Sequence, residues 1–186
     1  MALFWQHIRL LFFNPPKAWR SIKKQNHNFG FLYWRMAFVM IALTSVCLFV
    51  GESLSTASTA SGFYILADAL LYLISNMLAF FITAKTINAI IPNYGGKKDL
   101  AKTGYLLFYT MAPFYMVMAV KFIFPSLLFL LLLPVYCLVV YYYGVRQMMN
   151  FAAENKTAYY LVSLLIIIGI HVIAYFVFNV AVLKLV

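Results

Sequence analysis

Acidic side chains are nearly absent from this chain. Four of its 186 residues carry a carboxylate: Glu52, Asp68, Asp99 and Glu154. A set this sparse contains no H-E-x-x-H motif and no paired aspartates inside an apolar run. No serine, histidine and acid arrangement of a hydrolase appears either. Cysteine is as scarce. Cys47 and Cys137 both lie in apolar stretches, which excludes a disulfide framework and metal-ligand spacing and leaves them as small buried hydrophobes. Charged residues make up only 10% of the chain and apolar ones 66%. A soluble domain is about a quarter charged, so this chain has too little polar surface to cover a water-soluble globule. The start MALFWQHIRLLFF has no basic segment before its apolar run and no small-residue cleavage site after it, so no signal peptide is expected.

Long apolar runs are plentiful. Five are long enough to span a bilayer, which takes about 20 residues. They lie at about 36–50, extended by an interfacial collar of Phe31, Tyr33, Trp34 and Arg35, and at about 62–84, 104–124, 125–145 and 158–183. Their apolar character is continuous rather than alternating, so they read as helices and not as strands of a barrel. The fold class expected is all-α, a polytopic integral membrane bundle. Residues 1–30 form a cytoplasmic segment with an interfacial amphipathic helix, and residues 31–186 form a five-helix transmembrane domain.

The basic residues give the orientation. One set of chain ends holds Arg9, Lys17, Arg20, Lys23, Lys24, Arg35, Lys85, Lys97, Lys98, Lys102, Arg146 and Lys156; the other holds Lys121 and Lys184. Twelve against two places the N-terminus in the cytoplasm and the C-terminus outside. Tyr141, Tyr142 and Tyr143 then form an aromatic belt at the cytoplasmic interface beside Arg146. The stretch GESLSTASTAS reads as a flexible external linker. Lys121 to Pro125 must make a tight hairpin, and no internal repeat is evident. Asn155-Lys156-Thr157 matches a glycosylation sequon but falls on the cytoplasmic side.

Two segments concentrate this charge. After the break at Asn14-Pro15-Pro16, Lys17, Arg20 and Lys24 recur at helical spacing on one face, with Trp19 and Ile22 free to enter the membrane interface. Such a helix could grip anionic lipid, although topology alone would call for the same charges. The second segment, Asn93-Tyr94-Gly95-Gly96-Lys97-Lys98-Asp99, leads towards Lys102. Paired glycines before lysines could cradle a phosphate at a helix start, but the P-loop spacing is missing. A lipid headgroup, a partner's acidic surface or a plain turn are the readings left.

Inside the spans, Asp68, Asn76, His171 and Asn179 are the polar residues to explain. A carboxylate in hydrocarbon is expensive and should face the bundle interior. Asp68 and His171 could come within one or two turns in depth, which would suit an ion path, while an interhelical hydrogen-bond clamp is the plainer alternative. Pro113 and Pro134 are expected to kink the third and fourth spans.

Several of these segments together resemble the Yip family, named for interaction with Ypt/Rab GTPases, in its bacterial branch. The carriers are Asn14-Pro15-Pro16-Lys17-Ala18-Trp19-Arg20-Ser21-Ile22 shortly before the first span, the run Gly95-Gly96-Lys97-Lys98 followed by Gly104-Tyr105, Ala112-Pro113 within the third span, and Tyr143-Gly144-Val145-Arg146 closing the fourth. The resemblance runs from about residue 10 to the end. It implies a small five-helix integral membrane protein with no catalytic residues, located in a bacterial inner membrane. There is no D-L-Y-G-P motif before the first span and no long soluble N-terminal region, so Rab binding is not implied. The function expected is non-enzymatic: organising lipids or partner proteins through a basic cytoplasmic face, as a homo-oligomer or with another membrane protein, with no cofactor and no nucleic-acid partner. The alternative is a small transporter or channel-like subunit using Asp68 and His171.

Overall fold

A computed structural model describes residues 2–25, 28–55 and 61–183, and these residues are helical with no strand among them. Two short helices come first, α1 (Ala2–Phe13) and α2 (Pro15–Ile22). Asn14 separates them because its side chain accepts a hydrogen bond from Lys17 N at 3.1 Å, and the two prolines fit the first helical positions, where no backbone donor is needed. The next helix, α3, runs Phe29–Leu54 and passes through a π-helical stretch at Tyr33–Ala37. Asn28 caps its start by accepting from Phe31 N at 2.8 Å. Then follow α4 (Gly62–Ala89), a 3-10 turn (Ile91–Tyr94) and α5 (Leu100–Ile123). A 3-10 stretch at Leu128–Val135 leads into α6 (Tyr136–Met148), and α7 (Ala153–Leu183) is the last described helix.

Four of these helices are long and apolar enough to cross a membrane: Phe29–Leu54, Gly62–Ala89, Leu100–Ile123 and Ala153–Val180. The fourth expected span differs in kind. Pro134 sits within the 3-10 stretch, and the α-helix starts just after it at Tyr136. The proline therefore precedes a helix instead of kinking one, because its ring and missing N–H are tolerated where no i−4 ladder has formed. Pro113, in contrast, lies inside an α5 that continues past it. Gly51 to Leu54, expected as linker, extend α3 by a turn and carry Glu52 into the helix. Of the rest of that linker reading, residues 56–60 lie outside the described residues.

Pairs of contacts fix the direction of each helix. Tyr33 OH donates to Met77 O (3.1 Å) and Ser45 Oγ to Ala69 O (2.6 Å), so α3 and α4 run antiparallel. Thr44 Oγ1 donates to Tyr115 O (3.2 Å), while Gly51 lies against the Phe122 carbonyl, so α3 and α5 run parallel. Tyr72 meets the Phe178 ring at 6.1 Å, and Tyr159 OH donates to Ile87 O (3.2 Å), making α4 and α7 antiparallel. The α6 helix runs antiparallel to α7, with Lys156 Nζ donating to Arg146 O (3.2 Å) near the connection and Tyr141 OH to Ser163 Oγ (2.6 Å) further from it.

The core forms around α5. Tyr105, Leu106, Leu107, Phe108 and Tyr109 are all buried, and 56% of the helix's apolar stretch is enclosed, against 11% for α7. The α7 helix therefore presents most of its surface to lipid. The N-terminal helices close the core at one end. Trp19 and Ile22 are both fully buried, and Trp19 Nε1 donates to Val140 O of α6 at 2.9 Å. They do not enter the membrane interface as expected. Amphipathic spacing specifies an apolar face but not what covers it; here Gly144 of α6 provides the space. A Cβ there would lie 2.7 Å from Trp19 Cζ2 and overlap Leu106.

Candidate functional site

The turn from α4 to α5 is built to close tolerances. Gly95 takes φ +80°, a left-handed conformation that other residues adopt only at a cost. Gly96 has no room for a side chain: a Cβ would overlap the Phe151 ring and lie 2.8 Å from Ile91 Cγ2. Their backbone donors are already used, Gly95 N to Pro92 O at 3.0 Å and Gly96 N to Ile91 O at 3.3 Å. The glycine pair therefore shapes the turn and does not itself offer N–H groups to a phosphate. Two asparagines brace it. Asn88 Oδ1 accepts from Asp99 N (2.9 Å) and from Thr103 Oγ1 (3.2 Å), and Asn155 Nδ2 donates to Tyr94 O (3.2 Å).

Between this turn and residues 148–151 lies a recess of about 520 Å³. Its walls include Gly95, Gly96, Lys97, Lys98, Asp99 and Lys102 on one side, and Met148, Met149, Asn150 and Phe151 on the other. The lysines are not equivalent. Lys102 Nζ pairs with Asp99 Oδ2 at 2.9 Å. Asp99 also caps α5 by accepting from Lys102 N at 3.0 Å. Burial alone would raise the Asp99 carboxyl, but the Lys102 N–H and ammonium and the Ala101 N–H together hold it below its ordinary value. Lys97 and Lys98 are exposed and have no acidic partner among the described residues. Their backbone N–H groups also make no hydrogen bond within that part of the chain.

The second basic segment arrives from α2. Lys17, Arg20 and Lys24 are exposed on one face, as their spacing predicts, but none lines the recess. Their neighbour Lys23 connects the two surfaces, with Nζ donating to Asn150 Oδ1 at 3.5 Å. Lys156 Nζ donates to Arg146 O (3.2 Å), and Arg146 stacks over the Tyr142 ring at 5.0 Å. The wall formed by Met148–Phe151 was not foreseen from the sequence. A break after α6 is legible there, but no periodicity says that it folds back against Gly96.

The intramembrane polar residues do not converge. Asn76 Nδ2 donates to Tyr72 O (2.9 Å), Asn179 Nδ2 to Tyr175 O (2.7 Å) and His171 Nδ1 to Ile167 O (2.9 Å). Each thus spends a donor on a carbonyl of its own helix, which lowers the penalty of placing it in lipid. The α4/α7 register sets His171 level with about Met77 or Leu78. Asp68 lies between two and three turns away, roughly 14 Å along the axis. The Asp68 carboxyl interacts with that of Glu52 on α3 instead, and its buried Oδ1 has no hydrogen-bond partner among the described residues.

A further polar knot ties α1 to the core. His7 is 2% exposed; its Nε2 contacts Ser21 Oγ at 3.0 Å, while its Nδ1 contacts Gln25 Nε2 at 3.0 Å and Tyr109 OH at 3.3 Å. An amide nitrogen can only donate, so Nδ1 accepts and Nε2 carries the proton towards Ser21. That is the wrong tautomer for a base activating the serine. Burial lowers the His7 pKa and keeps the ring neutral.

Comparison with known protein families gives a match over most of the chain. The family model described as Yip1 domain covers residues 8–176. No curated protein and no solved structure matches the chain.

Proposed function

The chain belongs to the Yip1 domain family, and on that premise we propose that it is a non-enzymatic organiser of lipid or of partner proteins, acting through its basic end. It is a multi-pass membrane protein with several apolar helices of spanning length. The observation that carries the proposal is the gathering at one end of Lys17, Arg20, Lys23, Lys24, Lys97, Lys98, Arg146 and Lys156, with Asp99 already committed to Lys102. The excess charge there is free to meet an acidic surface.

Five crossings with the N-terminus in the cytoplasm are part of this reading. Helices α3, α5 and α7 run one way and α4 the other, so the chain must return between α5 and α7. The Leu128–Val135 and Tyr136–Met148 stretches together reach about 35 Å, at roughly 2.0 Å per 3-10 residue and 1.5 Å per α residue. That exceeds the roughly 30 Å hydrocarbon core. Cysteines placed at Ser61 and Lys98, with Cys47 and Cys137 replaced, should label from opposite sides; labelling from one side would remove the topology. A bacterial inner membrane is the location that fits a twelve-to-two charge split.

To test the function, Lys17, Arg20, Lys24, Lys97 and Lys98 are replaced together by Gln. Anionic lipid and proteins recovered with the purified chain are then measured. Both should fall, and unchanged recovery of both would defeat the proposal. A solute path using Asp68 and His171 has less support, because these residues sit more than two turns apart and each has another partner. Reconstituted protein with no more flux than empty vesicles would dispose of it.

A further inference from the structure

The geometry points to a built phospholipid site in the recess beneath the Gly95–Asp99 turn, with Lys97 and Lys98 holding the headgroup phosphate and the Met148–Phe151 wall receiving the apolar shoulder of the lipid. This deepens the reading of the basic end and rests on it.

Four observations converge. The first is the supply of donors. Lys97 and Lys98 present two ammonium groups and two backbone N–H groups, none of them engaged by a described residue. Adjacent free N–H groups beside cations form an anion-holding concavity. The N-terminus of α5 does not serve this purpose, because Asp99 already occupies it through Lys102 N and Ala101 N.

The second is size and lining. About 520 Å³ falls in the range of small-molecule sites and is far more than a lone phosphate fills. Ile91, Met148, Met149 and Phe151 are all buried residues that border it, so one side of the recess is apolar. An occupant that satisfies both sides joins an anion to an apolar body, which a phospholipid does and a free phosphate does not. Methionines adapt readily to such a partner.

The third is depth. Arg146 stacked on Tyr142 marks the interfacial level of α6, and the recess begins at Met148, less than a turn further on. That is where headgroups lie. The fourth is rigidity. Gly95 in its left-handed conformation, Gly96 pressed on Phe151, and the Asn88 and Asn155 braces hold the turn before any ligand arrives.

The test compares two pairs of charge removals in the full chain, purified in neutral detergent. Fluorescent phosphatidylglycerol is the probe, phosphatidylcholine the reference and glycerol 3-phosphate the soluble competitor. K97Q/K98Q should weaken the preference for phosphatidylglycerol about thirtyfold, as loss of two headgroup cations implies. K17Q/R20Q removes the same charge outside the recess and should change it less than twofold. N150D, which adds a negative charge to the wall without touching either lysine, should weaken binding as K97Q/K98Q does. Equal effects of the two pairs would overturn the recess while leaving the broader basic-face reading intact. No effect of either pair would overturn both. Displacement of phosphatidylglycerol by millimolar glycerol 3-phosphate would overturn the lipid as ligand in favour of a soluble phosphate ester.

Discussion

Replacing Trp19 by Ala separates two uses of the N-terminal helices. If α2 floats in the lipid interface, its tryptophan contributes to membrane contact and little to the fold. The structure places the indole at 0% exposure, bonded to Val140 O at 2.9 Å and edge-on to Tyr109 at 6.2 Å. Truncating a buried tryptophan removes its packing and leaves a cavity, at about 3–5 kcal/mol. Trp19→Phe keeps one ring in place but loses the hydrogen bond and the second ring, at about 1–2 kcal/mol. Gly144→Ala overfills the same joint from the other side and should cost about 1–3 kcal/mol in the wild-type chain. In a Trp19→Ala background the indole contact is gone and the Leu106 side chain, which the methyl also overlaps, can shift into the vacated space, so the two changes should be far from additive. Denaturant titration in mixed micelles, followed by loss of helical circular dichroism, measures all four proteins. A Trp19→Ala chain within about 0.5 kcal/mol of wild type, the range of an ordinary surface substitution, would refute the docked arrangement.

Other expectations follow from single contacts. Gly96→Ala should destabilise by about 1–3 kcal/mol because its methyl overlaps Phe151, whereas Gly62→Ala, with nothing within 4 Å, should be close to neutral in the same titration. Asp99→Ala removes the cap of α5 and should cost about 1 kcal/mol. Because the Asp99 pKa is lowered in the fold, its contribution is present above pH 3.8 and should fade as pH drops below that value, a slope that Asp99→Asn abolishes. The His7 pKa is also lowered from 6.5, so the unfolded chain binds its proton first. Stability should be full above pH 6.5 and decline below it, and His7→Asn should flatten that decline in unfolding titrations at pH 7.5 and 5.5.

Much of the bundle was legible in the sequence because membrane insertion depends on local composition. Continuous apolar runs pointed to the helices α3, α4, α5 and α7, since each span must satisfy its own backbone wherever its neighbours lie. Pro134 was the exception. Apolar composition cannot distinguish 3-10 from α geometry, and the chain adopts the tighter, longer-rising form just before that residue. The basic turn at Gly95–Lys102 was also visible, but not its chemistry. Spacing could not say that Asp99 pairs with Lys102, or that the glycines spend their own N–H groups within the turn.

By itself, then, the sequence determined a helical membrane chain of the Yip1 domain family, with its positive charge sorted to alternate connections. These properties follow from residues acting alone or with near neighbours. The tertiary structure decided what required distant partners. It set Trp19 against Gly144, more than a hundred residues away, and folded Phe151 onto Gly96. It also set Asp68 against Glu52 and more than two turns from His171. Helix register and close packing fix those pairings, and neither is written in the periodicity of a single segment.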